Sequence, residues 1–202
     1  MTIYAIVNNM IEGGAAVTDS PAVWTIVSGA SILQGGNPFF VPDFAKRFEA
    51  RLALAVKIAK LGKGIAPRFA YRYAGAAAPC ILFTAADKLD DLRRHGLPWT
   101  PALSYDKCIA LGNFRDIEFS EIDKSLVTLR LETPDSHTES ALNQESLKPD
   151  ITEAIRAISV DNTLKTGDII LLGVSAEGPE IEPGQKAILS LNGEETLRFN
   201  IR

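Results

Sequence analysis

A chain of 202 residues, 46% hydrophobic and 23% charged, suits one domain whose single core buries roughly 70% of the surface its unfolded chain exposes. Its net charge of -4, from 25 acidic and 21 basic residues with no long run of either sign, leaves no basic face for phosphates or anionic headgroups. Nucleic acid and membranes are therefore not expected partners.

The first residues, MTIYAIVNNM, lack a basic segment leading into a long apolar run, and nowhere do about 18 apolar residues follow one another. The expectation is a cytoplasmic protein. The apolar runs are short: IYAIV at the start, AVWTIV from Ala22, CILFT from Cys80, VTLRL from Val127, DIILLG from Asp168 and AILSL from Ala187. Their length and β-branched content predict strands. Gly and Pro in QGGNP, LGKG, HGLP, EGP and EPG cut the chain into β-turn units, and Asn192–Gly193 predicts a hairpin turn.

Two segments predict helices packed over the strands. One is PRFAYRYAGAAA, with Pro67 in its first turn. The other is PDITEAIRAI, where Asp150 caps and Ile151, Ile155 and Ile158 form one apolar stripe. The polar stretch at about 133–149, rich in Ser, Thr, Glu and Asp, predicts a surface loop inside one domain spanning 1–202. Cys80 and Cys108 lie far apart without metal-type spacing and predict buried, reduced thiols; His95 and His137 sit in polar stretches and make poor partners for a catalytic cysteine. Trp24, Trp99, Tyr71 and Tyr73 lack basic interleaving and predict packing rather than base stacking.

PFFVPDF from Pro38, KIAKLGK from Lys57 and HGLPW from His95, followed by LKTGDIILLG and EIEPGQKAILSLNG, together resemble the fumarylacetoacetate hydrolase family, most of all its short single-domain bacterial members. The resemblance covers nearly the whole chain and rests on the order and spacing of the motifs. It implies an α+β, β-rich fold, a mixed β-sandwich or β-roll with a few peripheral helices, usually a homodimer. It also implies cleavage, isomerisation or decarboxylation of small β-diketo and 2-oxo acids. That chemistry commonly uses Mg²⁺ or Mn²⁺ on three carboxylates, because hard cations take oxygen ligands and then stabilise an enolate.

Carried onto this sequence, the Glu-x-Glu positions fall on Arg51 and Ala53, with Glu49 two residues earlier on the same strand face in a slipped register. The aspartate position is Leu82, ahead of Phe83, Thr84, Ala85, Ala86 and Asp87. The active-site lysine position is Leu103, two residues before Tyr105 and Asp106. Ile26 and Val27 replace a basic residue and a proline; Asn9, Met10 and Gly13 replace an Asn-Tyr and a histidine. Thr-Gly-Thr-Pro reads Leu172, Gly173, Val174, Ser175.

These replacements lead to a first expectation of a non-catalytic family member without a cofactor, binding a small anion through Arg51 or acting through its dimer surface. Arg51 could instead snorkel to solvent or pair with Glu49. The alternative is an isomerase, decarboxylase or C–C hydrolase of 2-oxo acids, with Mg²⁺ or Mn²⁺ as its possible cation. It would work through a rearranged acidic site around Glu49, Asp87 and Asp106, with Asp90 and Asp91 read as a solvated acidic turn.

Overall fold

The computed structural model describes residues 1–10, 21–33, 35–146 and 148–202; Gly13 lies outside them. An eight-stranded mixed sheet runs in the order β2 (Trp24–Ser28), β1 (Thr2–Ile6), β10 (Ile169–Leu172), β4 (Phe48–Ile58), β5 (Ala74–Ala85), β6 (Ile109–Leu111) and β3 (Ile32–Leu33), with β7 (Arg115–Asp116) also on β5. A four-stranded antiparallel sheet runs β12 (Glu194–Asn200), β11 (Lys186–Leu191), β8 (Leu126–Glu132) and β9 (His137–Asn143). The helices are α1 (Ala86–Arg94), α2 (Thr100–Leu103), α3 (Phe119–Ile122) and α4 (Ile151–Asp161). This is the β-rich α+β architecture expected.

The long strands β4 and β5 are nearly continuous apolar runs, and both their faces are covered. The smaller sheet packs against them: Phe83 of β5 stacks on Phe39 at 3.8 Å between centroids and meets Phe199 of β12 edge-on at 6.1 Å. Each such buried aromatic or aliphatic side chain contributes about 1.5–3 kcal/mol, so the β4–β5 pair is the rigid centre on which a site can be built. Strand β8 alternates buried and open positions, as a strand with one wet face must. Asn192 and Gly193 both take positive φ (50° and 83°) in the turn from β11 to β12, as the Asn-Gly pair predicts. Asp150 accepts from the Glu153 amide at the start of α4, whose Ile151, Ile155 and Ile158 are all buried. Cys80 and Cys108 are buried thiols, and burial pushes Cys108 up to about 11.

Three predicted elements differ. The helix expected over PRFAYRYAGAAA is a short 3-10 turn over Pro67–Arg72, after which Ala74 begins β5. Alanine favours helix in isolation, but here Ala76 and Ala77 pair with both β4 and β7, and two ladders outweigh a propensity of a few tenths of a kcal/mol. The loop expected at 133–149 contains β9, an edge strand paired residue by residue with β8 from Leu126–Asn143 to Glu132–His137; its mostly exposed polar side chains hide the period-two signal. Asp90 and Asp91 lie on α1 rather than in an acidic turn.

Asp87, in the first turn of α1, accepts from the Lys46 amide at 3.0 Å and the Arg47 amide at 3.4 Å. Burial raises its pKa, but these amides with those of Lys88 and Asp87 more than offset it and hold the carboxyl below its ordinary value. A depressed folded-state pKa gives stability that is fully present above about pH 4 and lost as pH falls through the folded value. Asp87→Asn should therefore flatten the acid limb of stability below about pH 4, as measured by urea unfolding across that range.

Candidate active site at the start of strand β4

Strand alternation puts Glu49, Arg51 and Ala53 on one face of β4. Across the ladder these meet Thr84, Leu82 and Cys80 of β5, in that order. Residues directly opposite share a face, so Arg51 and Leu82, expected at two ligand positions, do lie side by side. Helices α1 and α2 pack against the same strand pair, and Leu103 on α2 is fully buried.

The polar pair on this face is Glu49 and Arg51, not Arg51 and Ala53. Ala53 is fully buried in the core, whereas Glu49 is 7% and Arg51 3% exposed. Arg51 does not snorkel. Its Nη2 donates to Glu49 Oε2 at 2.9 Å and its Nη1 to the Ala176 carbonyl. Its Nε is buried without a hydrogen-bond partner. Burial lowers the Arg51 pKa most; Glu49 opposes that and Arg93 adds to it.

The other Glu49 oxygen accepts from Arg47, whose second amino group bonds Asp90 Oδ2 at 2.7 Å; Arg93 Nη1 lies 3.8 Å from Asp90 Oδ1. Arg93 also donates to the Met10 carbonyl and lies 5.0 Å from the Trp99 ring centroid, and its Nε too is buried without a partner. Three guanidiniums and two carboxylates thus share one connected cluster with an excess of one positive charge. A buried N–H without an acceptor costs about 1–3 kcal/mol, and a carboxylate is the acceptor a guanidinium fork fits best.

The segment after β10 forms the second wall. Ser175 donates its amide to the Leu52 carbonyl at 2.8 Å and accepts from the Leu52 amide on its hydroxyl at 2.9 Å. Ala50 and Ile181 donate to the Pro179 and Phe48 carbonyls. Gly173 turns with φ of 65°, while Leu172 and Val174 are buried in the core.

The remaining positions do not join the cluster. Ile26, on β2, is 51% exposed, Asp106 is exposed, and the Asp87 carboxylate is taken by backbone amides. The acidic trio of Glu49, Asp87 and Asp106 is therefore not a converged site. Arg47 and Arg93 were missed in the sequence, and Asp90 was read there as part of a solvated acidic turn rather than as a partner of arginines. The available signal was the period-two Arg47-x-Glu49-x-Arg51 pattern facing Asp90 and Arg93, three residues apart on α1.

Residues 3–201 match the family model of the fumarylacetoacetate (FAA) hydrolase C-terminal domain. The chain belongs to the fumarylacetoacetate hydrolase family. It is 28% identical over 197 residues to the mitochondrial oxaloacetate tautomerase FAHD1 of Homo sapiens, covering 89% of this chain and 83% of that protein. It is 26% identical over 197 residues to the mitochondrial oxaloacetate decarboxylase of Dictyostelium discoideum, covering 94% and 87%. Its fold superposes, with a TM-score of 0.80 at 16% identity, on the fumarylpyruvate hydrolase of Pseudomonas aeruginosa in complex with Mn²⁺ and pyruvate, covering 100% of this chain and 88% of that one. The relatives are enzymes, which backs the catalytic alternative over the non-catalytic first expectation.

The Mn²⁺ complex corrects the expectation of no cofactor, since a protein of this fold holds that cation. The donor set on β4 and β5 nevertheless does not fit a three-carboxylate cradle. Leu82 offers no donor atom, Arg51 brings a cation to the position beside it, and both Glu49 oxygens already accept from arginines. Among the described residues no three His, Cys, Asp or Glu converge. No helix among them is long and apolar enough to cross a membrane.

Proposed function

We propose that this protein is an enzyme of small 2-oxo acids whose substrate carboxylate binds the buried guanidinium of Arg51. The observation that carries this reading is the partnerless Nε of a 3%-exposed arginine, fixed by Glu49 and the Ala176 carbonyl. Glu49 is the positioning residue: it holds the guanidinium in one orientation, so no reorganisation is needed when charge develops on the substrate.

The reaction class follows from what a fixed cation stabilises. Moving a proton from C3 of oxaloacetate to its C2 oxygen passes through an enolate. Breaking the C3–C4 bond with release of CO₂ leaves its electron pair in an enolate as well. Transferring the acyl group on C3 of a diketo acid to water, which becomes the hydroxyl of a released carboxylic acid, leaves the C3–C4 electron pair in an enolate too. The names of the relatives, oxaloacetate tautomerase and oxaloacetate decarboxylase, fall within this set, and a guanidinium beside the 2-oxo carboxylate lowers the enolate's energy in each.

The test compares the parent with Arg51→Ala and Arg51→Lys. Oxaloacetate at about 100 times its dissociation constant should stabilise the parent by about 2.7 kcal/mol, raising the melting temperature, while Arg51→Ala should show no rise. Enol–keto conversion and CO₂ release, followed spectroscopically, should fall at least about a hundredfold in both variants, since an ammonium cannot replace a bidentate fork. Equal responses in parent and Arg51→Ala sink the proposal. A melting response without turnover identifies an anion-binding protein instead.

A further inference from the structure

The net charge of -4 hides a local reversal of sign. Residues 57–73, KIAKLGKGIAPRFAYRY, carry five basic side chains and no acidic one. All five are exposed, and so are Leu61 at 64%, Tyr71 at 53% and Phe69 at 38%. The Arg68 and Arg72 guanidiniums lie over the Phe69 ring, 4.8 and 5.0 Å from its centroid. Arg72 also lies 5.4 Å from the Tyr71 centroid and donates from Nε to the Tyr71 hydroxyl at 3.0 Å. A guanidinium stacked on a ring keeps its in-plane N–H donors at the edge, so Arg68 and the Arg72 amino groups stay open to an outside anion. Every other described arginine except the C-terminal Arg202 already pairs with a carboxylate. On α4, which packs against this turn, Glu153 is taken by Arg156.

The loop that carries Leu61 is held rigidly. Gly62 exchanges backbone hydrogen bonds with Leu164, and the Gly64 and Ile65 amides donate to the Ser159 carbonyl and hydroxyl. The Ala59 amide donates to the Tyr73 carbonyl, which sets the loop beside the aromatic turn. Leu61 therefore stands out from a fixed backbone between Lys60 and Lys63.

We infer that residues 60–72 form a docking surface for an anionic lipid bilayer, with the cations on the headgroups and Leu61, Phe69 and Tyr71 in the interfacial layer. The inference does not rest on the Arg51 reading. Whole-chain charge argued against a membrane partner, but a bilayer meets only the local charge, and each cation near an anionic surface adds about fivefold to binding. Two features favour lipid over a polyanion in water. The exposed leucine and aromatic rings gain by leaving water, which a polyanion does not offer them. The guanidiniums over Phe69 also occupy the ring on which a nucleic-acid base would stack.

The experiment sediments the full chain with vesicles of phosphatidylcholine alone or with about one-third phosphatidylserine. The anionic vesicles should bind at least about tenfold more tightly, and salt at about 0.5 M should remove the difference. The double variant Arg68→Ala, Arg72→Ala should weaken binding to anionic vesicles about 25-fold. Leu61→Ser, which leaves the charge unchanged, should weaken it several-fold. The charge-matched variant Arg115→Ala, Arg198→Ala, which removes two arginines elsewhere, should stay within about twofold of the parent. No preference for the anionic vesicles, equal losses in the two double variants, or no effect of Leu61→Ser overturns the membrane surface. Binding of oligouridylate or polyglutamate without binding of vesicles also overturns it and assigns the patch to a polyanion.

Discussion

The double variant Arg51→Glu, Leu82→Asp is expected to melt several degrees higher with Mn²⁺ than without it, and to gain more from Mn²⁺ than the parent does. Positions 51 and 82 are direct cross-strand neighbours, and Glu49 lies two residues along the same face. The double change therefore puts three carboxylates on one buried patch of two rigid strands. A hard cation takes such oxygens readily. At about 100 times its dissociation constant it would add about 2.7 kcal/mol, or roughly 5–10 °C for a chain of this size. In EDTA the same variant should melt below the parent, because buried carboxylates without a cation cost several kcal/mol. A variant whose Mn²⁺ response equals the parent's would show that residues 49, 51 and 82 do not share a site.

Gly178→Ala is expected to lower stability by about 1–3 kcal/mol, within the range of overpacked sites, and to weaken oxaloacetate binding beyond what the stability loss explains. Any side chain at 178 would overlap the backbone carbonyl of Ala50. Backbone on both sides is fixed: residues 175–181 are bonded to Phe48, Ala50 and Leu52. Relief must come by moving this wall off β4. The wall carries the Ala176 carbonyl that holds Arg51, so the guanidinium loses one of its two anchors. Urea midpoints and oxaloacetate melts of Gly178→Ala should be compared with Ile158→Val, a core change on α4. If both variants lose binding equally at matched stability, the wall has no role in aligning Arg51.

The strands that were legible in the sequence are those whose burial is decided locally. β1, β8, β10 and β11 are short apolar runs ended by Gly, Asn or Pro, and their pattern survives without knowing their neighbours. The Ala74–Ala78 strand was not legible, because its extended state comes from pairing with β4 and β7 rather than from alanine itself. Edge strand β9 failed for the opposite reason, since so few of its side chains are buried that polarity alone was read as a loop.

At the site, Arg51 and Leu82 stood out because each departs from a family pattern at an identifiable position. Their direct opposition needed the ladder register. The rest of the cluster is joined by contacts far apart in sequence, at separations of 43 residues for Arg47 and Asp90 and 83 for Arg93 and Met10. Asp90 is half exposed, as its solvated reading expects; what the sequence did not show is that α1 brings it to Arg47.

The place of β10 in the sheet has a consequence for how the protein is made. Strand β10, residues 169–172, lies between β1 and β4, and the wall that follows it closes the other edge of Phe48–Leu52. A ribosome adding about 5–20 residues per second delivers that wall on the order of 5–25 s after β4. Throughout that interval the nascent chain carries Glu49 and Arg51 on an edge with no strand to cover it. A charged pair is well suited to that position, because charges on an open edge discourage pairing with another chain.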